Sequence, residues 1–311
     1  MHDRNVSEPS ADHDLRRLCS RLLLASATLA VCVLVPVAMA LLAVVISVPT
    51  TGLDAYSSKA VSRTDNPNAC PQPPPQTVVD DFSGPAGAPP NPQLWNHELG
   101  GGGTDNQLEA YTNSPRNASL DGNGNLAIVA IHEPFRFSDD GTTFDYTSAL
   151  LNTHGHLDFC YGTIAARIKL PTGQGLRPAF WLLGSDVDTV GWPQCGEIDI
   201  EELPVGISTL HGPGGYELPF YVPFDVGTDW HEYALDWRRD NITISIDGHA
   251  FGTWTPALLP PGATWIFNDH PMYVILNMAV GGLFGLPDSS TQFPATMLVD
   301  WVRYTPPTLT E

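Results

Sequence analysis

Past Val78 the chain carries short runs that are apolar or alternate apolar with polar residues, set between turn signals of Gly, Pro, Asn or Asp. LAIVAI (Leu126 to Ile131), TIAARIKL (Thr163 to Leu170) and PAFWLL (Pro178 to Leu183) have this form. So do HEYALDW (His231 to Trp237), ITISIDG (Ile242 to Gly248), MYVILNMAV (Met272 to Val280) and MLVDWVRY (Met297 to Tyr304). A period of two predicts β-strands, because successive side chains leave a strand on opposite faces. ITISIDGHAFGTW predicts a hairpin, since Asp247-Gly248 suits a turn that needs positive φ. Helical periodicity is hard to find, and no repeat of about 20–50 residues is visible. Many short strands between turn residues predict an all-β sandwich of two antiparallel sheets, residues 78–311.

The N-terminal third has a different pattern. An uncharged apolar run from Leu22 to Val48 follows Arg16, Arg17 and Arg21. It is long enough to cross a bilayer, and the basic flank predicts that residues 1–21 stay in the cytoplasm. The run reads as a transmembrane anchor or a signal peptide. Ala38-Met39-Ala40 resembles a cleavage site, but the apolar character continues past it, which favours an anchor. Residues 49–77 turn polar and then proline-rich, as an extended linker would. The domain is therefore expected outside the cytoplasm, membrane-anchored or secreted after cleavage, and as a monomer.

Charge narrows the partners. Fourteen Lys and Arg against 34 Asp and Glu give a net charge of −20. Such a protein is a poor partner for nucleic acid, anionic membranes or polyanionic polysaccharides, and neutral ligands remain. Of five cysteines, Cys19 and Cys32 lie in the N-terminal segment. Cys70, Cys160 and Cys195 allow one disulfide, whose pairing the sequence leaves open. No Cys/His spacing suggests zinc, no G-x-S-x-G elbow is present, and Gly100 to Gly103 lacks the helix that a phosphate loop requires.

The candidate chemistry lies in GWPQCGEIDIEEL, from Gly191 to Leu203. Ile198 and Ile200 read as the core face of a strand, with Glu197 and Asp199 on the other face. Carboxylates are depleted from strands and repel one another when crowded. Residues four apart on a strand are separated by about 13 Å, close enough for two Glu side chains to lean together. Retaining glycosidases hold their two carboxyl groups roughly 5–5.5 Å apart, one to attack and one to protonate the leaving oxygen. Asp199 between them would hold a proton or hydrogen-bond the nucleophile. Strict alternation pairs Glu197 with Glu201, whereas a one-residue β-bulge pairs it with Glu202. Both remain open on the residues alone, as does a solvated acidic edge or a calcium site.

The flanks carry a resemblance. GQGLRPAFWLLG followed by GWPQCGEIDIEE resembles the active-site region of family-16 glycoside hydrolases, in particular the laminarinase branch that cleaves β-1,3-glucans. DDFSG, YTNSPRNASLDGNGNLAIVA, YGTIAARIKLPTGQG, LHGPGGY, WHEYALDWRRDNITISIDG, ILNMAVGG and LVDWVRY follow the family's order from Asp80 to Tyr304. The resemblance implies a concanavalin A-like β-jelly roll with a concave substrate cleft, and retaining hydrolysis of a neutral β-glucan through a covalent glycosyl-enzyme, with no cofactor for catalysis. It also implies a bulge, which makes Glu197 the nucleophile, Asp199 the assisting carboxylate and Glu202 the acid/base. The branch usually has an apolar residue where this chain has Glu201, which keeps Glu201 as the alternative acid.

The same resemblance implies substrate contacts from Trp181, Trp192, His211, Asn113 and Asn277. It implies a structural calcium ion on the convex face, with Asp81, the Gly124 carbonyl and Asp300 as counterparts. Two departures bear on specificity. Arg177 stands where relatives often have Trp, and Thr163 and Ala165 replace charged residues while Arg167 remains. Asn117 and Asn241 head glycosylation sequons. His154 and His156 share a strand face and read as surface. A non-catalytic glucan-binding module and a transglycosylase are the rival readings on the same sandwich.

Overall fold

The structure, a computed structural model, describes residues 70, 74, 76–101, 106–139, 141–202, 206–222, 226 and 229–308. The apolar run at 22–48, residues 1–21 and most of the 49–77 linker lie outside the described residues. Among the described residues no helix is long and apolar enough to cross a membrane.

In chain order the strands begin with β1 (Val78–Asp80), β2 (Asn96–Glu98), β3 (Gly100–Gly101), β4 (Glu109–Tyr111), β5 (Ala118–Leu120) and β6 (Leu126–Arg136). There follow β7 (Thr143–Ser148), β8 (Leu150–Asn152), β9 (Asp158–Phe159), β10 (Gly162–Lys169), β11 (Leu176–Gly184) and β12 (Glu197–Glu202). The remainder are β13 (Ile207–Gly212), β14 (Tyr216–Tyr221), β15 (Trp230–Arg238), β16 (Asn241–Ile246), β17 (His249–Trp254), β18 (Met272–Val280) and β19 (Ala295–Thr305). The seven runs singled out by alternation all fall on strands, and the Asp247-Gly248 turn joins β16 to β17 with φ of 51° and 76°.

Two sheets form the jelly-roll sandwich. One runs β17-β16-β15-β10-β19-β6-β7-β4-β3, with β1 against β19 and β5 against β6. The other runs β14-β13-β12-β11-β18-β8-β2, with β9 against β18. One pair corrects the expectation of wholly antiparallel sheets: β4 lies parallel to β7. The chain runs through β5 and β6 between β4 and β7, so no hairpin turn forces this pair to be antiparallel.

The core fills the space between the sheets. Phe180, Leu182, Ile198, Leu276 and Met278 enter from one side, and Ile164, Ile168, Tyr233, Leu235 and Val299 from the other. β18, flanked by β11 and β8, is buried along its whole length. Its even-numbered residues enter the core and its odd-numbered ones floor a groove, which is why MYVILNMAV has so little polar character. A disulfide joins Cys70 to Cys160 and fastens the end of the proline-rich segment to the domain, while Cys195 is a buried thiol.

Candidate active site

β11 and β12 build the site by alternation and one break in it. Along β11, Leu176, Phe180 and Leu182 enter the core, and Arg177, Ala179, Trp181 and Leu183 face the groove. β12 starts in step, with Ile198 buried and Glu197 and Asp199 facing outward. Trp181 then pairs with Asp199, but Phe180 pairs with Glu201, so Ile200 is an extra residue on β12. The same shift falls between Asp199 and Glu202 on the β13 side. The Ser208 hydroxyl donates to the Ile200 carbonyl at 2.6 Å, satisfying a group that the bulge leaves off the ladder.

This bulge decides between the two spacings. Glu202, opposite Ala179, returns to the groove beside Glu197 and Asp199. Glu201, opposite Phe180, is turned between the sheets. It is 1 % exposed, and neither carboxylate oxygen has a hydrogen-bond partner among the described residues. The alternative that kept Glu201 as the acid is corrected on this ground: Glu201 does not line the groove.

Glu197, Asp199 and Glu202 share a cavity of about 370 Å³ with Arg177, Trp181, Trp192 and Asn277. A second hollow of about 540 Å³ continues it past Trp181 and Leu183 toward Asn96, Glu98 and His154, so the concave face carries an elongated groove. His211 on β13 places Nε2 3.0 Å from Asp199 Oδ2 and 3.7 Å from Glu197 Oε1. Asp199 is hydrogen-bonded to Glu197, whose carboxylate also accepts from the Trp192 indole N–H. Trp192 follows the one-turn helix α1 (Val187–Val190), and its ring is 54 % exposed over the groove. The Arg177 Nε–H donates to Glu202 Oε1 at 2.5 Å.

Burial and mutual repulsion dominate the electrostatics. Burial pushes Glu197 well above the ordinary carboxylate range and the Asp199 charge adds to this, while His211 and the Trp192 N–H oppose it. Asp199 is raised well above its ordinary value by burial and then by Glu202, with Arg177 and the bond from Glu197 opposing. Carboxylates this close cannot all ionise, so the cluster retains a proton that its members share.

Trp181, Trp192, His211 and Asn277 are all brought to the carboxylates. Asn277 is nonetheless engaged within the protein: its oxygen accepts from Trp181 Nε1 at 2.8 Å, and its amide donates to the Tyr111 hydroxyl at 2.9 Å. Asn277 therefore orients the Trp181 ring. Asn113 is exposed in the segment after β4 and does not line the cavity. Two of the residues expected at the calcium site, Asp300 and Asp81, are engaged within the protein. Asp300 is ion-paired with Arg167 at 2.6 Å, and Asp81 accepts from the Ser83 backbone N–H at 3.1 Å. Among the described residues, the one cluster of three side chains at metal-ligand spacing is Glu197, Asp199 and His211, which are hydrogen-bonded to one another. His154 and His156 lie in the turn after β8 and not on a strand; His154 is half-buried and packs on Tyr273 with ring centroids 4.5 Å apart. Asn117 is buried, with its side-chain amide donating to the Val129 carbonyl and the Thr147 hydroxyl, so that sequon is closed in the folded domain.

Sequence reasoning missed the support beneath Trp181. Glu109 on β4 is fully buried, accepts from the Val280 N–H at 2.7 Å and is hydrogen-bonded to Tyr111. Burial pushes its carboxyl up to about 7. A carboxylate between Leu108 and Ala110 is the same anomaly that drew notice at residues 197–202, and it could have been found the same way.

Comparisons with known proteins agree with this geometry. The glucan endo-1,3-beta-glucosidase A1 of Niallia circulans is 34% identical over 241 residues, which cover 67% of this chain and 35% of that protein. A beta-glucanase of Rhodothermus marinus is 34% identical over 239 residues, 69% of this chain and 79% of its own. The laminarinase catalytic domain of Thermotoga maritima superposes with a TM-score of 0.67 at 36% identity, covering 75% of this chain and 98% of that one. The family model for glycosyl hydrolases family 16 matches residues 110–303, and the chain belongs to that family.

Proposed function

We propose that the protein is a retaining endo-β-1,3-glucanase whose domain at 78–311 works through Glu197 and Glu202. Glu197 attacks the anomeric carbon of the bound sugar. Glu202 gives its proton to the glycosidic oxygen as that bond breaks, and a glycosyl ester forms on Glu197. Water then enters, Glu202 takes its proton, and the oxygen adds to the anomeric carbon as the ester bond breaks, so the configuration is retained. The observation that carries this reading is the bulge, which sets both glutamates on one wall of a groove floored by Trp181 and edged by Trp192.

Asp199 holds the proton that the crowded cluster retains. Its bond to Glu197 lets the nucleophile be ionised in a buried place, with His211 and the Trp192 N–H adding support. The indole faces suit the flat apolar faces of glucosyl units, and the net charge of −20 favours an uncharged polymer. Catalysis in this family requires no cofactor. The Cys70–Cys160 disulfide supports an exported domain, as such bonds persist in oxidising compartments, and residues 22–48 would hold or release it there.

Reducing-end release from laminarin tests the assignment. Glu197→Gln and Glu202→Gln should each lower kcat by about a thousandfold or more while the fold is kept. Undiminished hydrolysis by either variant would overturn it.

A further inference from the structure

The groove crosses the strands of its sheet, and one side of it has no role so far. From the carboxylates on β12 the two hollows run one way, over β11, β18, β8 and β2. The other way lie β13 and then β14, the last strand of this sheet. Residues paired across strands point to the same face. Glu202 pairs with Ile207, and Ile207 with Tyr221; by the same steps Asp199 leads to Pro219 and Glu197 to Glu217. Tyr221, Pro219 and Glu217 therefore stand on the concave face with the carboxylates. Between them, Leu218 and Phe220 pack on the core. The Trp254 indole N–H donates to the Leu218 carbonyl at 2.8 Å, and its ring centroid lies 5.3 Å from that of Phe220. β14 is thus held from behind while its outer residues stay open. Tyr221 is 66 % exposed, and it and Trp192 are the two exposed Phe, Tyr or Trp side chains among the described residues. One exposed aromatic by itself signifies little. This one is aligned with Glu202.

We propose that Tyr221 is the stacking platform of a leaving-side subsite, holding the second glucosyl unit of the chain that departs when the bond is cut. The inference rests on the endo-glucanase reading above and deepens it, by extending the substrate beyond the cleaved bond. Strand spacing sets the count. Tyr221 lies two strands from Glu202, about 10 Å, and a β-linked glucosyl unit is about as long as one spacing. The two flanks differ as the two halves of the substrate must. The sugar esterified to Glu197 has to stay bound through both steps, which suits the hollows floored by Trp181. The other half has to depart and admit water, which suits an open face with a single ring. That ring offers a flat apolar surface to the C–H groups of a sugar, and the exposed Pro219 beside it widens the apolar strip.

A β-1,3-linked glucohexaose labelled at its reducing end tests this at early conversion, with the full chain, Tyr221→Ala and Tyr221→Phe. The label stays on the departing fragment, so its length reports how many units lay beyond the cleaved bond. Tyr221→Ala should lower the ratio of two-unit to one-unit labelled products about fivefold or more, and Tyr221→Phe should stay near the parent. A loss of folded protein or of overall rate scales both products alike and leaves the ratio where it was. An unmoved ratio in Tyr221→Ala would overturn the proposal. So would an equal fall in Tyr221→Phe, since the ring face would then not be what binds. If the parent cut neither the hexaose nor laminarin, the glucanase reading would fall and the subsite with it, whereas a cutting parent with an unmoved ratio would remove the subsite alone.

Discussion

Glu201 should make the stability of this protein fall with rising pH, and replacing it should reverse that fall. The bulge turns its side chain between the sheets, where it has no hydrogen-bond partner among the described residues and where its charge reaches Tyr233 on β15. Burial, with the Glu202 charge adding to it, pushes its carboxyl from an ordinary 4.5 up to about 8. A carboxyl raised in the folded state favours folding fully below 4.5, and that contribution is lost as pH rises through about 8. At pH 7 the unfolded chain releases a proton that the folded one keeps. The interval of two and a half pH units, at about 1.4 kcal/mol each, amounts to about 3 kcal/mol. At pH 5.5 the same reasoning leaves about 1 kcal/mol.

Glu201→Gln keeps the shape and removes the titration. The cost of burying its amide does not depend on pH, so the diagnostic quantity is the change in the stability difference between the two proteins. Urea unfolding should show Glu201→Gln gaining about 2 kcal/mol relative to the parent between pH 5.5 and 7, and more by pH 8. Glu109, Glu197 and Asp199 titrate in both proteins and largely cancel. A difference that stays constant over this range would mean that Glu201 ionises freely where it sits, and the placement argued from the bulge would be wrong.

Two further outcomes follow from the scaffold. Tyr111→Phe removes the hydroxyl that accepts from Asn277, so the Trp181 ring should lose its fixed setting; KM for laminarin should rise several-fold with kcat changed less, and an unchanged KM would remove the network from substrate binding. Reduction and blocking of Cys70–Cys160, which are 90 residues apart, should cost about 2–4 kcal/mol in urea unfolding, and an unmoved midpoint would mean that the cross-link does not constrain the unfolded chain.

The period of two made most of the fold legible. Where a run such as PAFWLL or ITISIDG buries one face, its register is fixed by which residues are apolar, and the strands formed where the alternation lay. The same rule could not choose between Glu201 and Glu202, because a bulge is a local break in alternation. What selects it is the pairing of β12 with Phe180 and Thr209 on two other strands, and a linear reading carries no term for that. The parallel β4–β7 pair and the Glu109–Tyr111–Asn277 support escaped for a related reason, since each joins segments far apart in the chain.

Arg177 and Glu201 were both visible in the sequence as departures from the family pattern, but their meaning was not. Arg177 read as a departure bearing on specificity, and Glu201 read as a rival acid. The structure sets them on opposite sides of one backbone bulge, with Arg177 holding the carboxylate that the bulge delivers to the groove and Glu201 occupying the inward place that the bulge creates. The two departures differ in kind. A cation that touches Glu202 fixes a carboxylate facing the groove and therefore acts on turnover, whereas a carboxyl buried behind it acts on the fold that holds the bulge. Substitution at Arg177 should accordingly be read in turnover on laminarin and substitution at Glu201 in pH–stability profiles. If the effects appeared the other way round, the bulge would not separate the face that reacts from the face that packs.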